Sequence, residues 1–239
     1  VADMLSLMKA KLDAGRALLY QCARYVDIYK ALDDISRERK LEADERQEQK
    51  KYAKLADSLT PLAKGMNSEY ANQNTFDALQ IHGGSGFMMD YPIQRYARDA
   101  RITNIYEGTT QLQVVAAIRY VTNGSYLAQM REFETAQVSE AMQPLQARAK
   151  AMADKFAEAV EHVKAAENQE MHDICARHLV EMAADVIMLH LLMYNATVKP
   201  EMFERSARVY ANFVEAEIAK HYAWVMHFDA AQLADYRQA

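Results

Sequence analysis

Glu107 stands in the most suggestive chemical setting of any residue in this chain. In ARITNIYEGTTQLQ, residues 100 to 113, one carboxylate lies between Tyr106 and Gly108, with Thr109, Thr110 and Gln111 directly behind it. Such a carboxylate has two readings. Just before a helix N-terminus it is an exposed cap stabilised by the helix dipole. It can equally be a general base: Gly108 removes a side chain where a substrate may need to pass close to the backbone, and Tyr106 supplies an apolar wall that raises a carboxylate's proton affinity wherever water is excluded. The residues alone leave both open.

Other chemistries find less support. Seven histidines are present, at 82, 162, 172, 178, 190, 221 and 227, and none has a glutamate three residues before it. The Glu-x-x-His pair of di-iron bundles and the H-E-x-x-H zinc motif are therefore absent, and no metal site is expected. His190, in IMLHLLMY, reads as a satisfied core histidine. The run QIHGGSGFM holds Gly83, Gly84 and Gly86 without G-x-G-x-x-G spacing, and it follows a helical stretch, not a strand. It reads as a helix stop whose bare backbone would also admit a flat or charged ligand beside the Gln80 amide.

These residues must be carried by helices. With 239 residues, 51% of them hydrophobic, and only 7 Gly and 4 Pro, the chain can bury a sizeable core and has few helix breakers. An all-α fold follows, an up-down bundle succeeded by a second bundle, with parts at 1–122 and 126–239 joined by the turn TNGS. Leu5, Met8, Leu12, Gly15, Leu19, Cys22, Val26 and Tyr29 form one apolar stripe expected to be buried. Residues 34 to 54 mix both charge signs and read as a solvated linker and helix start, and Pro61 should reset the helix that follows. Thr110 with Gln113 fits a capping box opening the helix after Glu107. Met142, Leu145, Ala149, Met152, Phe156, Val160 and Val163 share one helix face, and further helices are expected near 170–195 and 200–228.

A net charge of -5 gives no basic footprint for nucleic acid. LVEMAADVIMLHLLMY is too short to span a bilayer and contains Glu181 and Asp185, so it reads as a buried helix. Cys22 and Cys175 sit far apart in apolar segments, as buried thiols of a reducing, cytoplasmic setting would. The chain opens on Val1 and enters helical periodicity at once, which gives the expectation of a piece cut from a longer protein.

FDALQIHGGSGFMMDYPIQRYARDARITNIYEGTTQLQ, residues 76 to 113, resembles the C-terminal signature of the acyl-CoA dehydrogenase family: Q-I-x-G-G-x-G, then Y-P-x-x-R-x-x-R-D-A-R, then I-Y-E-G-T. The likeness covers about residues 1 to 122, and 126 to 239 resemble an extra helical segment of larger bacterial members. The resemblance implies that Glu107 is the base taking the α-proton of an acyl-CoA thioester, while a β-hydrogen leaves as hydride to FAD and a trans-2-enoyl-CoA forms. It implies that Tyr106 and Gly108 line the acyl-CoA path. Gln80, Ile81, His82, Gly83 and Gly84 would contact FAD, usually that of a neighbouring subunit, and Thr109, Thr110 and Gln111 would form a second FAD-contacting stretch. Arg95, Arg98, Asp99 and Arg101 are expected to form a charged lattice fixing the Glu107 loop.

Ser85 and Ala97 stand where aromatic residues are common in the family, which alters the expected pocket wall. The family's N-terminal and middle domains have no counterpart in this sequence, so the chain alone is expected to bind FAD weakly or not at all. Electron-transferring flavoprotein is the implied electron acceptor, fatty-acid β-oxidation the implied setting and a homo-oligomer, dimer or tetramer, the implied assembly. The competing expectation is a non-catalytic helical module for oligomerisation or partner docking.

Overall fold

Scarce glycine and unbroken 3.6-residue patterning predict helices, and helices are what the chain forms. The structure, a computed structural model, describes residues 1–237, and among them there are ten α-helices and no strand. The first five are α1 (Ala2–Glu38), α2 (Ala43–Ile81), the single turn α3 (Gly84–Phe87), α4 (Ile93–Thr103) and α5 (Thr110–Thr122). Then follow α6 (Ser125–Glu134), α7 (Gln143–Ala165), α8 (Gln169–Val198), α9 (Pro200–His227) and the short α10 (Leu233–Tyr236).

The long antiparallel pair α1 and α2 forms the frame on which the candidate site is built. Four residues separate them, because α1 runs through the mixed-charge segment to Glu38 and α2 starts at Ala43 under a Glu42/Glu45 capping box. The expected linker over 34–54 is therefore mostly helix, its charges satisfied by local pairs such as Arg37 with Asp33 and Arg39 with Glu45. Gly15 sets the closeness of the pair. A Cβ there would come within 2.1 Å of Asn67 Oδ1, and the Asn67 amide uses the gap to donate to the carbonyls of Gly15 (3.3 Å) and Ala63 (2.9 Å).

Pro61 does not reset α2. The helix continues through it to Ile81. A proline leaves the carbonyl four residues earlier without its donor, here that of the exposed residue Asp57, which water can satisfy, while Pro61 itself is buried in the core-facing side.

The stripe on α1 is only partly as expected. Gly15 and Cys22 are buried and Val26 and Tyr29 pack against the core, but Leu5, Leu12 and Leu19 are 51%, 43% and 50% exposed, while Ala10, Ala14, Leu18 and Tyr25 are buried in their place. α1 packs on α2, α8 and α9 together, so the small residues go inward where three helices converge. Apolar spacing did not reveal which of two apolar faces that convergence selects.

α8 is the central helix, packed against α1, α5, α6, α7 and α9. Its length and composition would suit a membrane span, yet 83% of its most apolar window lies inside the protein, as expected of a core helix. Asn168 caps it by accepting from the backbone N–H groups of Glu170 and Met171. Across the Asn123–Gly124 turn, with Gly124 at φ 78°, helices from both halves contribute to one apolar core. The second half thus docks on the first, through α8 and α9 against α1 and α8 against α5. Tyr126 seals the junction by donating its hydroxyl to the Ser58 carbonyl at 2.7 Å, both groups being buried.

Cys22 and Cys175 are buried and free, and burial pushes the Cys175 thiol up to about 11. His190 is buried but not satisfied: its Nε2 has no hydrogen-bond partner among the described residues, and burial pulls it down to about 4, leaving the ring neutral.

Candidate active site

The loop carrying Glu107 runs from Asn104 at the end of α4 to Thr109 at the start of α5, over the middle of α2. Its two ends are tied to each other and to α2. The Thr110 N–H donates to the Asn104 carbonyl at 3.2 Å. Glu69 Oε1, on α2, accepts from Thr110 Oγ1 at 2.5 Å and from Asn104 Nδ2 at 3.3 Å. Arg101 Nη1 donates to Asn104 Oδ1 at 2.6 Å, fixing that amide's orientation. At the tip, the Gly108 carbonyl accepts from Gln113 Nε2 (3.3 Å) and from Lys64 Nζ.

Within this clamp the backbone turns left-handed twice, at Glu107 (φ 50°) and Gly108 (φ 93°). A Cβ at position 108 would stand 2.5 Å from Gln113 Nε2, so glycine is required both for its conformation and for the carbonyl's bond to Gln113. Glutamate in the left-handed region is uncommon, and here the surrounding hydrogen bonds impose it.

The helix cap is Thr109, not Thr110. The Thr109 hydroxyl accepts from the Leu112 N–H at 3.3 Å, while Thr110 is already helical and its hydroxyl proton goes to Glu69. With the capping position filled, Glu107 is not a cap either. Its carboxylate is exposed and makes no hydrogen bond or ion pair among the described residues, and Tyr106 beside it is half exposed.

Arg95, Arg98 and Asp99 do not form the expected lattice. All three are exposed, without an ion pair among the described residues, and Arg95 rests by the ring of Tyr96. Of that group only Arg101 reaches the loop, through Asn104. The clamp comes instead from Lys64 and Glu69, which lie about 40 positions away in sequence and which no local pattern singled out.

The glycine run occupies the far end of α2. His82 ends the helix, Gly83 takes φ 59°, and a Cβ at Gly83 or Gly84 would meet nothing within 4 Å. Gln80 and His82 are exposed, Ile81 is half-buried, and the His82 ring stands edge-on to Tyr91. Bare backbone and a free amide are thus open to a planar, polar ligand. From Glu69 to Gln80 is 11 residues of helix, about 16 Å. The structure therefore does not bring residues 80–84 and 106–111 into one pocket; it sets them at two stations on α2. Between and around them lie exposed large apolar side chains, among them Phe76, Phe87, Met89, Tyr96, Ile105 and Val115, more than a finished surface usually leaves in water.

A second polar centre, which sequence reasoning missed, lies where the two halves meet. Asp185 of α8, 3% exposed, accepts from Tyr70 Oη of α2 (2.9 Å) and Tyr210 Oη of α9 (3.3 Å), and those two hydroxyls are 2.9 Å apart. Burial pushes the Asp185 carboxyl up to about 7. Next to it His178 and His221 share an Nδ1 to Nδ1 contact of 2.7 Å, and His221 Nε2 lies 3.1 Å from Glu181. Burial, then the neighbouring His221, pulls His178 down to about 4. For Glu181 burial is outweighed by hydrogen bonds from His221 and Arg177, which hold it at about 2. A cavity of about 190 Å³ opens onto Asp185, Glu181, His221 and Glu69. The available signal was Glu181 and Asp185 interrupting an apolar run. Among the described residues no group of three or more His, Cys, Asp or Glu side chains is arranged so that it could hold a metal ion.

Residues 1–120 match the family described as acyl-CoA dehydrogenase, C-terminal domain, and residues 122–233 match a second, described as acyl-CoA dehydrogenase C terminal. The chain belongs to the acyl-CoA dehydrogenase family. Over 60 residues it is 50% identical to the broad-specificity linear acyl-CoA dehydrogenase FadE5 of Mycobacterium tuberculosis, covering 25% of this chain and 10% of that protein. Over 121 residues it is 32% identical to the cyclohexane-1-carbonyl-CoA dehydrogenase of Syntrophus aciditrophicus, covering 51% of this chain and 25% of that one. The chain thus spans a quarter or less of the length of these curated relatives. Its fold is shared with an acyl-CoA dehydrogenase of Bacillus anthracis solved with FAD, at TM-score 0.68 and 19% identity over 93% of this chain and 41% of that one. It is shared also with Caenorhabditis elegans ACDH-11 solved with C11-CoA, at TM-score 0.67 and 19% identity over 88% and 35%.

Proposed function

We propose that this chain is the C-terminal helical part of an FAD-dependent acyl-CoA dehydrogenase, with Glu107 as the catalytic base. The observation that carries the reading is the state of Glu107: a carboxylate held in left-handed backbone by a clamp of hydrogen bonds, relieved of capping duty by Thr109 and without a partner among the described residues. A base so placed removes the proton from the α-carbon of the thioester, and the missing side chain at Gly108 lets the acyl chain approach the backbone. FAD, when bound, supplies the acceptor for the hydrogen that leaves the β-carbon with its electron pair, so that a trans-2-enoyl-CoA results. Tyr106 borders the acyl path.

The residues fit such a cofactor. Gly83 and Gly84 offer unobstructed backbone beside the Gln80 amide, Ile81 and His82, and Gln111 is exposed at the other station with Thr109 beside it. Thr110 is the weaker donor of the set, because its hydroxyl proton is already committed to Glu69. A separation of about 16 Å along α2 suits two stretches that touch different parts, or different copies, of an extended dinucleotide. The exposed apolar residues around both stations suit coverage by further protein. Homo-oligomeric assembly, a cytoplasmic setting and electron transfer to electron-transferring flavoprotein belong to the same proposal. Leu5, Leu12 and Leu19, seven residues apart on the open face of α1, are the surface best suited to the assembly.

Glu107→Gln in the FAD-loaded enzyme tests the reading, because the amide keeps shape without basicity. Flavin reduction by acyl-CoA should fall by roughly three or more orders of magnitude with FAD retained. Reduction at near wild-type rate would assign the base elsewhere.

A further inference from the structure

Glu69 is not part of the signature around Glu107, and of the two proposed cofactor stations it meets only Thr110, whose hydroxyl it holds, yet one of its oxygens holds both ends of the loop. Asn104 precedes the loop's left-handed turn and Thr110 follows it, and both donate to Glu69 Oε1, at 3.3 and 2.5 Å. Asn104, buried, is oriented for this by Arg101. The remaining backbone contact, Thr110 N–H to Asn104 carbonyl, closes the same ring. A carboxylate on α2, the longest helix of the protein, therefore fixes where the five residues between the two ends can sit, and Glu107 is one of them. Glu69 also faces the cavity at the junction with α8, which Arg177 and Glu181 line, so the second half of the chain borders the same anchor.

We propose that Glu69 is a positioning residue: by accepting from Asn104 and Thr110 with one oxygen, it sets the register of the loop and so the place at which Glu107 meets the α-carbon of an acyl-CoA. This rests on Glu107 being the base. The role is one of reach, not charge, since both donors are neutral groups. Glutamine has the same reach and an acceptor oxygen; aspartate keeps the charge and retracts the acceptor by one methylene. A misplacement of about 1 Å at a reacting group can cost roughly 100-fold in rate.

The experiment compares Glu69→Gln, Glu69→Asp, Glu69→Ala and Glu107→Gln in the FAD-loaded enzyme, measuring the rate of flavin reduction per bound flavin, acyl-CoA affinity and FAD content. Glu69→Ala and Glu69→Asp should lose roughly 10- to 100-fold in reduction rate, with affinity and FAD content within about threefold of wild type, and Glu69→Gln should restore most of the rate. Rates per flavin that stay within about threefold in Glu69→Ala, losses confined to affinity or FAD content, or rescue by aspartate instead of glutamine would each overturn the proposal. If Glu69→Ala fails to fold or to hold FAD, the pair Glu69→Asp and Glu69→Gln decides by the same criteria. A Glu107→Gln variant that keeps its rate would refute the reading of the base itself, and so is distinguishable from a failure at Glu69.

Discussion

Replacing Asp185 by asparagine should stabilise the protein in neutral solution by an amount that grows with pH. An asparagine carbonyl can accept from Tyr70 and Tyr210 as the carboxylate does, while its amide nitrogen would stand near Glu181 and Glu217. Burial raises the carboxyl from an ordinary 3.8 to about 7, so the folded protein holds a proton that the unfolded chain has released. The stability carried by the protonated acid is full below the unfolded value and is lost as pH rises from about 4 to about 7. The gap between the two states corresponds to roughly 4 kcal/mol when both are ionised, of which roughly 2 to 3 kcal/mol falls between about pH 5 and about pH 8. His178 acts in the opposite sense: its stability is present above 6.5 and is lost as pH falls toward about 4. Glu181 matters only below about 4.5. Wild type alone would blur these effects, whereas the difference between wild type and Asp185→Asn isolates the carboxyl. Urea unfolding followed by circular dichroism at about pH 5 and about pH 8 should show the variant's advantage widening by roughly 2 to 3 kcal/mol. A difference that is flat with pH, or that shifts toward wild type, would refute the reasoning.

Gly15→Ala should destabilise the protein by roughly 1 to 2 kcal/mol despite the better helix propensity of alanine, because Asn67 must swing away and lose its bonds to Gly15 and Ala63. Adding Asn67→Ala should recover part of that loss in the same urea titration; a double variant no more stable than Gly15→Ala would place the cost elsewhere. Tyr126→Phe should cost roughly 0.5 to 1.5 kcal/mol, since it removes a buried hydrogen bond from α6 to the Ser58 carbonyl of α2. An unchanged thermal midpoint would show that the junction between the halves does not depend on that bond.

The helices were legible because their signal is local. The face from Met142, just before α7, to Val163 is buried as spaced, and the glycine stop after Ile81 falls where the chain leaves α2. What sequence did not reveal depends on more than two helices meeting at once. Leu5, Leu12 and Leu19 are as apolar as Leu18, but only the latter faces the convergence of α1 with α2 and α8. Pro61 breaks helices in isolation and is carried here by the packing on either side. At the site, the types and order of Tyr106, Glu107, Gly108 and Thr109 were readable as one motif, whereas Lys64 and Glu69 became visible only once α2 lay beneath the loop. The nearby arginines looked the better anchors because they are close in sequence; Arg95 and Arg98 point their charges to solvent instead.

The most direct test of Glu107 as the base separates proton removal from oxidation. An acyl-CoA whose β-carbon carries no hydrogen cannot be dehydrogenated, yet its α-proton can still be taken and returned. Incubated in deuterated water with the FAD-loaded wild-type enzyme, such a compound should gain deuterium at the α-carbon, measured by mass spectrometry. With Glu107→Gln, matched for FAD content, exchange should fall to the rate seen without enzyme. Deuterium incorporation by Glu107→Gln at the wild-type rate would contradict the assignment of the base to this residue.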